Sequence, residues 1–234
     1  MIYNFLRVKF IYLLVLFSCK SFELEELDYP LLNTSKIKIM PLGDSITQGI
    51  HINSKNIGYR RDLYNLLKSN GYQIDLVGSM HDGSVSDFDK DHEGHGGYRA
   101  DQIRDSVYYW LSLNPPDIIL LHVGTNDISQ KETAYNVSLE IDQILDQIDL
   151  FELDNDYRIK VIVAKIINHF DYQENVRALN NYISRNVEDR FKDGDYIFLA
   201  DFYSSLNDKK YFLDNVHPNE SGYKVMAETW ASKI

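Results

Sequence analysis

Ser45 is the side chain of this sequence best placed to act as a nucleophile. It ends the motif Gly43-Asp44-Ser45, which follows a run of β-forming residues at 37–41. A serine in the turn after a parallel strand can raise its hydroxyl to the edge of the sheet where ligands bind. Because many serines in this position only cap the next helix, a base, a group that orients it and oxyanion donors are needed elsewhere in the chain.

His217 is the candidate base, since histidine titrates in the range that proton transfer requires. Pro218 keeps it out of the α-helical region, which predicts a loop position just before the last helix. Asp214, three residues earlier, can accept a hydrogen bond from the imidazole and fix its tautomer. The alternative interpretation is an aspartate that caps a helix beside a surface histidine.

Three groups suit the negative charge that develops on an oxyanion when a serine attacks a carbonyl group: the backbone N–H of Ser45, the backbone N–H of Gly97 and the side-chain amide of Asn126. Gly97 has no side chain to keep a substrate away from its backbone. From the residues beside Gly97, we expect substrate contacts from His95, Tyr98 and Arg99.

Apart from His217 and His95, the histidines are interpreted as structural or peripheral. His92 and His95 lie among acidic residues in a long polar segment, 79–97, whose spacing fits neither HExxH nor an EF-hand loop. We therefore predict a solvated functional loop there, with no metal and no cofactor. His122 is expected to be a core histidine, and loop positions near the rim are expected for His51, His81 and His169. Asp44 and Asp127 are expected to stabilise the turns in which they lie rather than to take part in chemistry.

The elements that must position these residues alternate between strand and helix. Strands are predicted at 37–41, 74–77, 117–123, 160–165 and 196–200, and helices at 59–69, 100–111, 134–148, 176–187 and 220–232. This alternation predicts an α/β fold, a three-layer α/β/α sandwich with a five-stranded parallel sheet in the flavodoxin-like order 2-1-3-4-5. In that order the first and third strands are neighbours, so Ser45 and Asn126 should face each other.

Composition limits the partners. The chain has 234 residues, enough for one α/β domain, and a formal net charge of -11 spread along its length. Binding to nucleic acid would need clustered lysine and arginine, so we expect none. We expect a monomer.

The N-terminus predicts export. Arg7 and Lys9 precede an apolar run, Phe10–Phe17, that is too short to span a bilayer and is typical of a signal peptide. We assign 1–18 to a signal peptide and 19–35 to a tether that leads to the domain at 36–234. The only cysteine, Cys19, follows directly and allows a lipoprotein-type anchor, which is the one membrane association we expect. The alternative is free secretion after cleavage near Ser21.

Four blocks of sequence resemble a known family. GDSIT at 43–47, EGHGGYR around Gly97, GTND at 124–127 and DNVHPN at 214–219 are similar, in order, to the blocks of the SGNH hydrolases, also called GDSL esterases. The resemblance implies Ser45 as nucleophile, His217 as base, Asp214 as its orienting partner, and Gly97 and Asn126 as oxyanion donors. The amino-acid sequence of these blocks is most similar to the acetylxylan-esterase branch, carbohydrate esterase family 3.

Three functional readings follow. The first is a secreted serine esterase that removes acetyl groups from plant polysaccharide, with an acylated carbohydrate as its substrate. The second is an SGNH esterase acting on lipid or aryl esters, which a long apolar acyl-binding surface would favour. The third is a carbohydrate-binding protein that keeps the fold without catalysis. All the block residues are present, which favours an enzyme.

Overall fold

A computed structural model describes residues 36–50 and 56–234. Within them the chain forms seven strands: β1 (Ile37–Gly43), β2 (Ile74–Leu76), β3 (Met80–His81), β4 (Asp91–Gly94), β5 (Ile118–His122), β6 (Lys160–Lys165) and β7 (Ile197–Asp201). The same residues form eight α-helices: α1 (Ser45–Gln48), α2 (Arg60–Ser69), α3 (Ala100–Leu113), α4 (Thr125–Ser129), α5 (Ala134–Asn155), α6 (Gln173–Asp193), α7 (Phe202–Ser205) and α8 (Glu220–Ala231). The signal peptide, Cys19, the tether and His51 lie outside the described residues.

The parallel order predicted from the sequence is confirmed. β2 pairs with β1, which pairs with β5, followed by β6 and β7, all in parallel. This is the order 2-1-3-4-5 of the predicted strands. Gly43 at the end of β1 is in register with His122 at the end of β5, so the turns that follow these two strands leave the sheet side by side.

The sheet has two more strands than predicted. β4 pairs in parallel with the end of β1, beyond the part of β1 that pairs with β2. Leu42 and Gly43 of β1 are in register with Glu93 and Gly94 of β4. β3 then pairs antiparallel with β4. The prediction that 79–97 is one solvated loop is therefore wrong, because its polar residues at 91–94 form a strand whose last three members are buried.

Alternating residues of the central strands bury apolar side chains on both faces of the sheet, which explains the continuous apolar run of β5. Met40, Ile119 and Val161 pack with helices α3, α5 and α6. Ile39 and Ile118 pack on the opposite face with α2 and α8. These two cores define the three layers of an α/β/α sandwich. No helix in the described part of the chain is both long and apolar enough to span a membrane.

Candidate active site

Ser45 begins helix α1 directly after β1. The carboxylate of Asp44 caps this helix by accepting the N–H of Ile46 at 2.9 Å, so the prediction that Asp44 braces its turn is confirmed. As the first residue of the helix, Ser45 keeps an N–H with no partner inside it. Gly43, two residues before Ser45, must be glycine, because a Cβ there would lie 2.2 Å from the carbonyl oxygen of His122.

A chain of hydrogen bonds joins Ser45, His217 and Asp214. The Oγ of Ser45 lies 3.2 Å from Nε2 of His217, and Nδ1 of the same ring lies 2.9 Å from Oδ2 of Asp214. A charged carboxylate accepts the proton on Nδ1, which leaves the lone pair of Nε2 facing the serine hydroxyl. This arrangement allows the imidazole to take the proton of Ser45.

Asp214 is held in the charged form by the loop that it organises. Its Oδ1 accepts the N–H groups of Val216 and His217, each at 2.7 Å. Partial burial opposes ionisation of this carboxyl, but these two bonds and the bond from the imidazole hold its pKa below the ordinary value. Asp214 is therefore an anion at neutral pH and can stabilise an imidazolium on His217.

The loop after β6 supports the loop that carries His217. The N–H of Phe170 donates to the carbonyl of Asn215 at 2.9 Å. The side-chain amide of Asn215 donates in turn to both carboxylate oxygens of Asp171, at 3.0 Å. Sequence reasoning missed this support because the two loops are more than 40 residues apart.

The proposed oxyanion donors are connected to each other. Residues 95–98 form a turn in which the N–H of Tyr98 donates to the carbonyl of His95 at 3.1 Å, with Gly97 at φ +83° in its third position, as in a type II turn. The side-chain amide of Asn126, on α4, donates one hydrogen to the carbonyl of Tyr98 at 2.9 Å. Its second hydrogen is available for an oxyanion.

The three residues expected to contact substrate differ in their placement. The imidazole of His95 binds Glu93, and only 13% of the His95 side chain is exposed, which leaves little of it for a ligand. The guanidinium of Arg99 binds Asp101 and more weakly Gln130, with over a third of the side chain exposed. Tyr98 is partly buried against the core.

Two of the remaining histidines, His92 and His169, are more buried than the sequence indicated. His122 is a core histidine, as predicted, and burial lowers its pKa to about 4. His92 is fully buried in β4 rather than solvated. His169 lies in a loop, as expected, but it is buried rather than at the rim, and its Nε2 is 3.0 Å from Oγ of Ser129. His81 is exposed, but it lies in β3, so the loop position expected for it is wrong.

Two aspartates beside the donors have structural contacts. Burial raises the pKa of Asp44 to about 7 against the opposing effect of the N–H of Ile46. Asp127, on α4, accepts the N–H of Ala100 at the start of α3, which confirms its expected role as a brace. In the described residues, one group of carboxylates has ligand atoms close enough to hold a cation, within 4.8 Å of one another: Asp101, Asp127 and Glu140. Arg99 and the Ala100 N–H already bind two of them.

Sequence reasoning also missed two residues that hold helix α1. Arg60 is fully buried, and its guanidinium donates to backbone carbonyls of α1 and of two loops, the one that contains Asn56 and the one between β3 and β4. Gln48, the last residue of α1, accepts the N–H of Gly96 and donates to Asp82. The sequence offered one signal for the contact of Gln48, the pair of glycines at 96–97. A Cβ on Gly96 would lie 2.8 Å from the Gln48 amide oxygen, so a glycine at this position indicates a close neighbour.

The fold and site define a class of protein. A serine at the carboxyl edge of a parallel sheet, hydrogen-bonded through histidine to an aspartate, has the geometry of a serine hydrolase. The chain has no G-x-S-x-G elbow, so it is not of the common α/β-hydrolase pattern.

The chain belongs to the GDSL-like lipase/acylhydrolase family, which its sequence matches over residues 42–225. It is 30% identical to a family 3 carbohydrate esterase of Clostridium thermocellum, with a TM-score of 0.74 over 85% of this chain and 94% of that one. The structure of a family 3 carbohydrate esterase from Talaromyces cellulolyticus gives 29% identity and the same TM-score, over 84% of this chain and 95% of that one. The protein is therefore an esterase of the GDSL type related to these enzymes.

A multidomain esterase of Ruminococcus flavefaciens is 28% identical over 231 residues. The match covers 85% of this chain but only 28% of that protein. The similarity thus concerns one part of a larger enzyme.

Proposed function

We propose that this protein removes acetyl groups from hydroxyl groups of a polysaccharide, such as acetylated xylan. The observation that carries the proposal is the hydrogen-bonded series Ser45, His217 and Asp214 in a chain similar to family 3 carbohydrate esterases. The exposed glycines of the 95–98 turn also support it, because they allow a bulky, hydroxyl-rich ligand to approach the backbone closely.

In the proposed reaction Ser45 Oγ attacks the carbonyl carbon of the acetyl ester while Nε2 of His217 takes the hydroxyl proton. The carbonyl oxygen becomes an oxyanion that receives hydrogen bonds from the N–H of Ser45, the N–H of Gly97 and the amide of Asn126. His217 then returns the proton to the departing sugar oxygen, and the ester bond breaks. Asp214 stabilises the imidazolium throughout.

The second half of the reaction regenerates the enzyme. Water attacks the acetyl-serine, His217 takes a proton from this water, and a second tetrahedral oxyanion occupies the same donors. When it collapses, the bond to Ser45 breaks, the serine recovers its proton from His217, and acetate leaves. No group other than substrate and water is consumed.

We further propose that the protein is exported and acts as a monomer, either free or anchored through Cys19. The support is the charged and apolar pattern that precedes Cys19. The mass of the mature N-terminus from the membrane and medium fractions tests this. A retained 1–18 segment in both fractions contradicts export, and an unmodified Cys19 in the membrane fraction contradicts the anchor.

The experiment for the substrate compares kcat/KM on aryl acetate, butyrate and octanoate with acetate release from acetylated xylan and acetylated glucomannan. An apolar acyl pocket would gain about 0.8 kcal/mol per buried CH₂, or roughly 15-fold from acetyl to butyryl. We expect the opposite trend, with acetate the best aryl ester and acetate released from at least one polymer. Ser45→Ala is the control for background hydrolysis.

A preference for octanoate with no acetate release from either polymer would falsify the carbohydrate assignment. The lipid or aryl esterase would then be the supported function. Tight binding to the polymers with no hydrolysis of any ester would instead support the non-catalytic carbohydrate-binding reading.

A further inference from the structure

The turn that carries Gly97 is held at its start by contacts from the end of β1 and from α1. The N–H of His95 donates to the carbonyl of Gly43 at 2.8 Å, and the N–H of Gly96 donates to Oε1 of Gln48 at 3.0 Å. Both acceptors lie within three residues of Ser45. The backbone of the turn is therefore attached to the segment that carries the nucleophile.

The side chain that anchors this turn is a fully buried carboxylate. Glu93 has no exposed surface, and it accepts hydrogen bonds from the N–H of Ser79 at 2.7 Å and from its hydroxyl at 2.6 Å. A third bond comes from Nε2 of His95 at 2.6 Å. A carboxylate buried in this way is destabilising unless its hydrogen-bond partners are in place, so Glu93 fixes the position of the His95 ring.

The ring of His95 is also restrained by aromatic contacts. It stacks against Trp110 with ring centroids 4.5 Å apart and an interplanar angle of 11°. It stacks against Tyr98 at 4.8 Å and 22°. Since Tyr98 closes the turn and its carbonyl accepts the Asn126 amide, one imidazole connects the buried carboxylate to both ends of the turn.

We infer that Glu93 and His95 are a second carboxylate–imidazole pair, separate from Asp214 and His217, that positions the Gly97 N–H for the oxyanion. The inference rests on the proposed function, in which Gly97 is a donor. Such donors act only when they are preorganised toward the developing charge, and a displacement of about 1 Å can cost on the order of 10²-fold in rate. Glu93 and His95 are positioning residues, and neither needs to touch the substrate.

The most informative variant is His95→Phe, which retains an aromatic ring for the two stacking contacts but removes the bond to Glu93. We expect kcat to fall about 10- to 100-fold while KM changes less than about threefold, since the oxyanion exists only along the reaction path. A boronic acid that adds to the serine as a tetrahedral anion should lose affinity by a similar factor. Glu93→Gln should move the same quantities in the same direction.

The matched control is His81→Ala in the neighbouring hairpin. His81 pairs with Asp91 across β3 and β4. Within the described part of the chain this pair is exposed and has no hydrogen bond to the turn, so kcat and boronate affinity should stay at wild-type values. Rates are counted per active site titrated with an organophosphonate, and thermal unfolding is measured in parallel. This separates a loss of rate from a loss of folded protein.

Unchanged kcat and boronate affinity per titrated site in both His95→Phe and Glu93→Gln would overturn the inference and leave a purely structural pair. An effect confined to KM would also overturn it, because it would make His95 a substrate contact. If the wild-type protein is not labelled at Ser45 by the phosphonate, the proposed function itself fails. The two failures are therefore distinguishable.

Discussion

Replacing Asp214 by asparagine should inactivate the enzyme without unfolding it. Oδ1 of the aspartate accepts two backbone N–H groups, and the amide oxygen of asparagine can accept both in the same place. The Oδ2 position, which now accepts the proton of His217 Nδ1, becomes an NH₂ donor. His217 must then place its own proton on Nε2, where it faces Ser45 and cannot act as a base.

The magnitude follows from this change of tautomer. A histidine in the wrong tautomer costs about 10⁴ in kcat in a comparable triad, which corresponds to roughly 5.5 kcal/mol of transition-state stabilisation. We therefore expect kcat of Asp214→Asn to fall by about 10³- to 10⁴-fold. Its free energy of unfolding should change by less than about 1 kcal/mol, because no backbone donor loses its acceptor.

Asp214→Ala is the matched variant, since it removes both functions of the side chain. About half of the Asp214 side chain is exposed, so water can reach the two released N–H groups. We expect an additional loss of about 1–3 kcal/mol in stability from the two bonds. Kinetics on an aryl acetate and urea unfolding of both variants give the comparison.

The reasoning is refuted if Asp214→Asn retains more than about a tenth of the wild-type kcat. It is also refuted if the asparagine and alanine variants are equally destabilised, because Oδ1 would then contribute nothing to the loop.

Two further predictions concern the neighbours of Ser45. Asn126→Ala should lower kcat about 10²-fold with the fold intact; an effect on KM alone would make Asn126 a binding residue. Asp44 has a pKa raised by burial to about 7, so it favours the folded state fully below about pH 4, and this contribution is lost as pH rises to about 7. Asp44→Asn cannot ionise, so its stability relative to wild type should increase over that range in urea unfolding. A difference independent of pH would contradict the assignment.

The main sheet was predictable because its strands are apolar or are flanked by glycine and proline residues that end regular structure. The run 117–123 is typical of a strand in a parallel sheet covered on both faces, and the period of 134–148 is typical of a helix with one buried face. The neighbouring positions of β1 and β5 followed from the order of strands, and with them the approach of Ser45 and Asn126. The hydrogen bonds of Ser45 to His217 and of Asn126 to Tyr98 could not be predicted.

Strand β4 could not be predicted because its sequence, Asp-His-Glu-Gly, has no apolar pattern. Its burial depends on partners that are distant in sequence, such as Ser79 for Glu93. Local patterns assign such residues to solvent, since a buried charge without partners is strongly unfavourable.

The burial of Arg60 was hidden for the same reason. Its guanidinium is satisfied by carbonyl oxygens from segments as far away as Lys90, and nothing in its own neighbourhood indicates this. Sequence reasoning found the residues with expected chemistry, and it missed the buried polar residues that hold them in place.

The central claim is that Ser45 forms the covalent intermediate, and labelling by a serine-reactive organophosphonate tests it most directly. The wild-type protein should gain one phosphonyl group on the peptide that contains Ser45, with loss of esterase activity in proportion to labelling. Ser45→Ala should remain unlabelled and lose at least about 10³-fold in kcat, as other triad nucleophiles do. Labelling of a different serine, or wild-type activity in Ser45→Ala, would contradict the account.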